Sequence, residues 1–272
     1  MNYRSINDLN NTILKQHHLI PRNIDLVVGV PRSGMLPANL LALYLNLPYT
    51  DIHSFMNGFI YKSGARKQFF NETEYKNILV VDDSIASGSA IKECKSDLAH
   101  LESKFNIKYC AIYYTAENGN LADYALEEVP TPRYFQWNIF NHTTLEKACF
   151  DIDGVLCVDP SEEQNDDGEL YRTFLLNAVP LYIPGAKIGT IVTSRLEKYR
   201  SETVIWLEKN GIQYDKLVML DLPDMKARQK ANNHAGHKAK EYQVSHYNLF
   251  VESDLGQAIE INKRTKKPVF CT

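Results

Sequence analysis

Ile78-Leu79-Val80-Val81-Asp82-Asp83-Ser84-Ile85-Ala86-Ser87-Gly88-Ser89-Ala90 decides the fold of the first half of this chain. The apolar run Ile78–Val81 reads as a strand buried on both faces, the pattern of a parallel sheet. Two acids end it, a loop of small residues follows, and a helix pattern starts at Ala90. Open α/β sheets bind their ligands where strands deliver residues in this way. Backbone N–H groups of the loop and the positive end of the helix can hold a phosphate. Gly88 lets the backbone approach closely, and the Ser87 and Ser89 hydroxyls add donors. Asp82 and Asp83 would repel a phosphate but can accept hydrogen bonds from vicinal hydroxyls, so a sugar phosphate satisfies both halves. The bland alternative is a strand end with ordinary turn and N-cap chemistry.

Outward from this stretch, strand and helix patterns alternate. Residues 1–20 read as a polar helix, Ile24–Val28 as a strand, Pro37–Leu47 as a helix, Ala90–Lys104 as a helix and Tyr109–Tyr114 as a strand. The aromatic run Tyr134-Phe135-Gln136-Trp137-Asn138-Ile139-Phe140 marks a change of texture after Pro130 and Pro132. A second series then begins at Ala148–Phe150. Its expected strands are Ile188–Val192, Lys216–Leu220, Asn248–Val251 and Val269–Phe270, and its expected helices Tyr199–Asn210, Lys238–Val244 and Leu255–Lys263. The reading is an α/β protein of two domains, 1–145 and 146–272, each with a parallel sheet.

Bulk properties narrow the function. The chain has 272 residues, 44% hydrophobic, enough for two cores. A formal net charge of -3 with mixed signs argues against a nucleic-acid partner, which needs a basic face. Five scattered cysteines read as reduced thiols of a cytoplasmic protein. No signal peptide is visible, and the most apolar stretch, Leu40–Leu47, is too short to be a transmembrane segment. A peripheral position at the inner face of a membrane stays open.

The order of elements in the first half resembles the type I phosphoribosyltransferase family. The resemblance implies phosphoribosyl pyrophosphate (PRPP) as donor and Mg2+ on its pyrophosphate. Asp82 and Asp83 would hold the ribose hydroxyls. The loop Ser84, Ala86, Ser87, Gly88 and Ser89 would hold the 5-phosphate, with serines where the family usually has Thr-Gly-x-Thr. Gly29-Val30-Pro31-Arg32-Ser33-Gly34 stands where the family has its pyrophosphate loop, and Arg32 and Ser33 would contact phosphate oxygens. Lys62, Arg66 and Lys67 fall where the family has a flap that closes over the reaction.

Asp151-Ile152-Asp153-Gly154, directly after Ala148-Cys149-Phe150, resembles the first motif of the haloacid-dehalogenase (HAD) superfamily. Thr193 would be the second motif, Lys238 (with Lys240 a weaker candidate) the third, and Glu252-Ser253-Asp254 the fourth. The resemblance implies a phosphatase with at most a small cap, formed within residues 159–185. Asp151 would be the nucleophile, Asp153 the acid and base, Thr193 the phosphoryl ligand and Lys238 the neutralising cation. Mg2+ would be held by Asp151, Asp153 and one or both of Glu252 and Asp254. His234 and His237 read as surface residues.

Together the halves resemble the dual-domain ribofuranosyltransferases of bacterial surface-polysaccharide assembly. That implies a glycan acceptor, free or lipid-linked, that is phosphoribosylated and then dephosphorylated. Tyr134, Phe135, Trp137 and Phe140 could form an acceptor platform, though packing at the domain junction is the plainer reading. The competing readings are a nucleobase phosphoribosyltransferase fused to a nucleotidase, a PRPP-sensing regulatory module, and a HAD phosphatase with an unrelated substrate and a vestigial first half.

Overall fold

The computed structural model describes residues 2–61 and 75–272. Two compact units divide the chain, Met1–Ile139 and Phe140–Thr272.

In the first unit the strands are β1 (Asn2–Arg4), β2 (Leu26–Gly29), β3 (Tyr49–Asp51), β4 (Asn77–Ile85), β5 (Asn106–Tyr114), β6 (Tyr124–Glu128) and β7 (Arg133–Phe135). Its α-helices are α1 (Ile6–Gln16), α2 (Met35–Leu45), α3 (Ile52–Met56) and α4 (Ser89–Leu98). A five-stranded sheet has the order β3-β2-β4-β5-β6, and every pairing in it is parallel. The strands alternate their apolar side chains between two cores. Val27, Leu79, Val81, Cys110 and Ile112 pack with Leu9 and Ile13 of α1 and Ala38 and Leu41 of α2. Leu26, Val28, Ile78, Val80 and Ala111 pack with Ile91, Cys94 and Leu98 of α4. Burial on both faces is why these strands read as unbroken apolar runs. β1 and β7 form a separate parallel pair, with Arg4 opposite Phe135. A capping box between Ser5 and Asp8 starts α1.

The second unit repeats the architecture. Its strands are β8 (Ala148–Phe150), β9 (Ile188–Leu196), β10 (Tyr214–Leu220), β11 (Leu249–Glu252) and β12 (Val269–Cys271). The order is β10-β9-β8-β11-β12, all parallel. Its α-helices are α5 (Glu169–Asn177), α6 (Arg200–Lys209), α7 (Met225–Ala231), α8 (His234–Val244) and α9 (Leu255–Thr265). Cys149, Val192 and Phe250 of the sheet pack against Ala239, Tyr242 and Ile261 of α8 and α9.

Chain order reverses once in each sheet. In the first, β2 leads outward to β3 while β4 leads the other way; in the second, β8 leads to β9 and β11 to β12. Such a reversal leaves a crevice at the carboxyl ends of the two central strands. The loops after β2 and β4 share one crevice, and those after β8 and β11 share the other.

Candidate active sites

In the first unit, β2 stops at Gly29, opposite Val81, while β4 continues beside β5 with Asp82 opposite Ala111 and Ser84 opposite Tyr113. Asp82 and Asp83 are therefore inside a strand that outruns its other neighbour. The sequence pattern ended that strand at Val81, because carboxylates are poor strand formers and the partner on β5 is not visible in local sequence. The chain after β2 turns back along β4: the Val30 N–H donates to the Val81 carbonyl at 2.9 Å. Gly34 permits this approach, since a Cβ there would stand 2.6 Å from the Val30 oxygen and 2.7 Å from the Val81 oxygen. In this loop the Pro31–Arg32 peptide is cis, Arg32 is exposed and Ser33 half-buried.

Asp83 is 6% exposed, and its Oδ2 accepts the Trp137 Nε1–H at 2.7 Å. The Asp83 N–H donates to Asp82 Oδ1 at 2.8 Å. Burial, then the neighbouring Asp83 charge, pushes Asp82 up to about 8. Burial also raises Asp83, opposed by the Trp137 and Asp82 hydrogen bonds and the Arg133 charge. The phosphate-type loop follows. Gly88 has φ 78° and caps α4, the backbone region glycine enters without a Cβ penalty. Ser87 Oγ and Ser89 Oγ lie 3.0 Å apart, and the Ser89 N–H donates to Ser87 Oγ at 3.3 Å. Asn118 Nδ2 donates to the Ala86 carbonyl at 2.6 Å, which fixes the loop from the side. Ala86, Ser87 and Ser89 are exposed and Ser84 half-buried. Lys62, Arg66 and Lys67 lie outside the described residues.

In the second unit a cleft of about 870 Å³ opens between the ends of β8 and β11, and Asp151, Asp153, Asp159, Glu252 and Asp254 line it. Lys238 of α8, 1% exposed, donates from Nζ to Asp151 Oδ2 at 2.5 Å, Glu252 Oε2 at 2.6 Å and Gln257 Oε1 at 2.9 Å. The Asp151 N–H is held by the Val251 carbonyl at 3.0 Å, and Asp151 Oδ1 accepts the Ile152 N–H at 2.8 Å. Burial, then the Asp151 charge, raises Glu252 to about 7 against the pull of Lys238. Asp153 pairs with Arg195 of β9, whose Nη2 donates to Asp153 Oδ1 at 2.6 Å. Ser253 Oγ donates to the Asp153 carbonyl at 3.2 Å, and Asp254 caps α9 through the Gln257 N–H at 2.7 Å.

Asp151, Asp153, Lys238, Glu252 and Asp254 thus converge on one cleft, although 87 positions of sequence separate Lys238 from Asp151. Thr193 does not line it. β9 runs on to Leu196, Thr193 is fully buried, and its Oγ1 accepts the Arg195 N–H at 3.2 Å. Ser194 lines the cleft instead, with a buried Oγ that has no hydrogen-bond partner. His234 also lines it, and His237 is half-buried with an unpartnered Nε2; neither is the surface residue its sequence setting implied. Lys240 is exposed.

Sequence reasoning missed Arg195, Ser194 and Gln257 as site neighbours, and it offered Trp137 for an acceptor platform or the domain junction rather than for Asp83. Arg195 had a signal, since it stands two residues after Thr193 and a strand repeats its face every second residue. The contact between Trp137 and Asp83 had none, because 54 positions separate the two residues.

Among the described residues no group of three or more His, Cys, Asp or Glu side chains is arranged to hold a metal ion. Lys238 already bridges Asp151 and Glu252, and Arg195 holds Asp153. The donor chemistry still suits Mg2+. Hard carboxylate oxygens dominate the lining, and Lys238 is the one lysine or arginine among the lining residues. Mg2+ is commonly bound through one or two carboxylates, with waters and substrate phosphate completing its shell.

The first unit is thus an open parallel α/β unit whose polar loops meet at the reversal of strand order. The chain belongs to the phosphoribosyl transferase domain family, whose model matches residues 2–144. It is accordingly a transferase that uses PRPP. No curated protein matches the chain significantly. Among solved structures, the xanthine-guanine-hypoxanthine phosphoribosyltransferase of Helicobacter pylori is similar at 19% identity and TM-score 0.37, covering 51% of this chain and 92% of that one. The purine phosphoribosyltransferase of Pyrococcus horikoshii is similar at 18% identity and TM-score 0.37, covering 50% and 92%. A chain of the Pnkp1/Rnl/Hen1 complex spans 91% of this chain and 96% of its own length, at 17% identity and TM-score 0.29. With TM-scores this low, the family assignment rests on the sequence match. Among the described residues no helix is long and apolar enough to cross a membrane.

Proposed function

We propose that the chain performs two-step ribofuranosyl transfer to a glycan acceptor. The first unit joins the 5-phosphoribosyl group of PRPP to the acceptor and releases pyrophosphate. The second unit is a HAD-like phosphatase that removes the 5-phosphate. The observation that carries the second step is Lys238 Nζ, held 2.5 Å from Asp151 and 2.6 Å from Glu252 in an acid-lined cleft. A buried ammonium against a nucleophile-type carboxylate is what attack on an anionic phosphate requires.

In the first unit, Asp82 and Asp83 accept the ribose hydroxyls. The N–H groups of residues 86–89 and the hydroxyls of Ser87 and Ser89 hold the 5-phosphate, and Arg32 pairs with the pyrophosphate. In their ionised form these acids also favour positive charge developing at C1 as pyrophosphate departs. In the second unit, Asp151 attacks phosphorus and forms an aspartyl phosphate, and Asp153 moves the proton to the leaving alkoxide and later from water. Lys238 orients Asp151 and neutralises charge, while Ser194, which lines the cleft where Thr193 does not, takes the phosphoryl-binding role assigned to Thr193. Asp151, the Asp153 carbonyl, Glu252 and Asp254 would hold Mg2+, which when bound would supply positive charge to offset the repulsion between carboxylate and phosphate.

Joining the two chemistries makes sense for a glycan. Removing the 5-phosphate leaves a plain ribofuranose on a sugar acceptor, whereas on a nucleobase it would undo the nucleotide just made. The test is incubation with PRPP, Mg2+ and a panel of glycans and nucleobases, with pyrophosphate and phosphate release followed separately. Asp151→Asn is expected to release pyrophosphate only and to accumulate a product heavier by one phosphate, read by mass spectrometry. A fully dephosphorylated product from that variant would refute the phosphatase assignment; consumption of nucleobases alone would refute the glycan acceptor.

A further inference from the structure

We propose that Trp137 is a positioning residue for phosphoribosyl transfer, its indole N–H holding the Asp83 carboxylate where the pentose of PRPP meets it. The inference rests on Asp83 as an acceptor for the ribose hydroxyls.

Three observations carry it. First, the 2.7 Å bond from Nε1 to Oδ2 reaches a carboxylate that is 6% exposed and that forms no salt bridge among the described residues. A hydrogen bond to a charged group is worth about 1.5–3 kcal/mol, more than a neutral one. Second, the indole cannot easily turn away. It stacks on Phe135 at 4.9 Å between ring centroids and 11° between planes, and Phe135 stacks on buried Tyr113 at 5.2 Å and 16°. The segment is pinned further by β1, with Arg4 opposite Phe135 and the Gln136 N–H donating to the Arg4 carbonyl at 3.0 Å. Third, packing does not require the donor. A phenyl ring would extend the stack as well, so the N–H is the feature that packing leaves unexplained.

Arg133 completes the arrangement. Its charge acts on Asp83, yet its Nη1 is buried without a hydrogen-bond partner, and its guanidinium lies 5.4 Å from the Phe135 ring centroid. It favours the ionised acid without forming an ion pair with it, so the carboxylate is oriented by hydrogen bonds, with the indole N–H at 2.7 Å beside those from Asp82 and the Ser84 backbone.

The test is calorimetric titration of the full chain with PRPP in the presence of Mg2+. Trp137→Phe keeps a ring and deletes the donor. Replacing Trp137 by its benzothienyl isostere keeps the bicyclic shape and also deletes the donor. Both are expected to raise the Kd for PRPP roughly tenfold or more, with a single cooperative melting transition retained and the same melting temperature for the two variants. Unchanged affinity with the isostere overturns the proposal, including the case in which only Trp137→Phe is impaired, because the role would then be packing. Asp83→Asn separates the two readings. If it binds PRPP like the unaltered chain, the role given to Asp83 fails and this inference falls with it. If it is impaired while both position-137 variants bind normally, this inference alone is wrong.

Discussion

The two units place acids at the same point of the same kind of sheet and treat their charge in opposite ways. In the second unit each leading carboxylate has a buried cation: Asp151 has Lys238, shared with Glu252, and Asp153 has Arg195. In the first unit Asp82 and Asp83 have an indole N–H, backbone donors and a guanidinium that acts through space. The consequence is visible in Asp82, pushed up to about 8. Acids left this bare suit neutral hydroxyl groups, which donate and bring no negative charge. Acids with matched cations suit a phosphate ester, which could not approach them otherwise. The proposed function uses this difference, giving a sugar-binding step to one unit and a phosphate-cleaving step to the other.

The largest expected effect breaks the compensated side. Lys238→Met leaves Asp151 and Glu252 buried without their cation, and removing one partner of a buried ion pair costs about 3–5 kcal/mol. Urea unfolding of the second unit is expected to move by that amount, with phosphate release abolished and pyrophosphate release retained. An unmoved transition would mean that the acids are not held ionised by Lys238.

The bare side is sharpened by crowding it. Gly34→Ala drives a Cβ to within 2.7 Å of the Val81 oxygen and 3.0 Å of the Asp82 Cα. Those are backbone atoms that cannot swing aside, so overpacking of about 1–3 kcal/mol is expected. PRPP binding should weaken with it, while phosphatase activity on small phosphate esters stays unchanged.

A smaller effect follows from charge alone. Because the folded state raises Asp82 from its ordinary 3.8 to about 8, the folded chain binds a proton that the unfolded chain has released between those values. The stabilisation is fully present below about pH 4 and is lost as pH rises through about 8, with a slope of at most about 1.4 kcal/mol per pH unit. Glu252, raised to about 7, adds to the same fall at lower pH. Denaturant titrations from pH 5 to 8.5 are expected to show a shallower fall for Asp82→Asn. An identical slope would place the proton elsewhere.

The smallest effect is the exposed counterpart of the buried pairs. Lys187 and Asp215 form a surface pair at 2.6 Å, with side chains 41% and 52% exposed. Lys187→Ala is expected to change stability by less than about 1 kcal/mol. A larger loss would show that depth does not separate the two kinds of ion pair here.

Much of this arrangement was legible in the amino-acid order. Continuous apolar runs such as Ile78–Val81 and Leu249–Val251 announced strands of parallel sheets, because both of their faces are covered. Acids and small residues at the ends of those runs announced crevice loops, and α9 begins at Leu255, where Asp254 stands as an N-cap. Short edge strands were not legible. β3 and β6 carry little apolar pattern, and β1 and β7 exist only as each other's partners.

Sequence by itself therefore determined the central apolar strands, which loops carry acids, and that two such units share one chain, since these depend on local pattern and burial. Tertiary structure decided which distant groups answer those acids: Trp137 for Asp83, Arg195 for Asp153, Lys238 for Asp151 and Glu252 together. The physical reason is that a buried charge must be met by whatever donor the packing brings within about 3 Å, and no local periodicity records that distance.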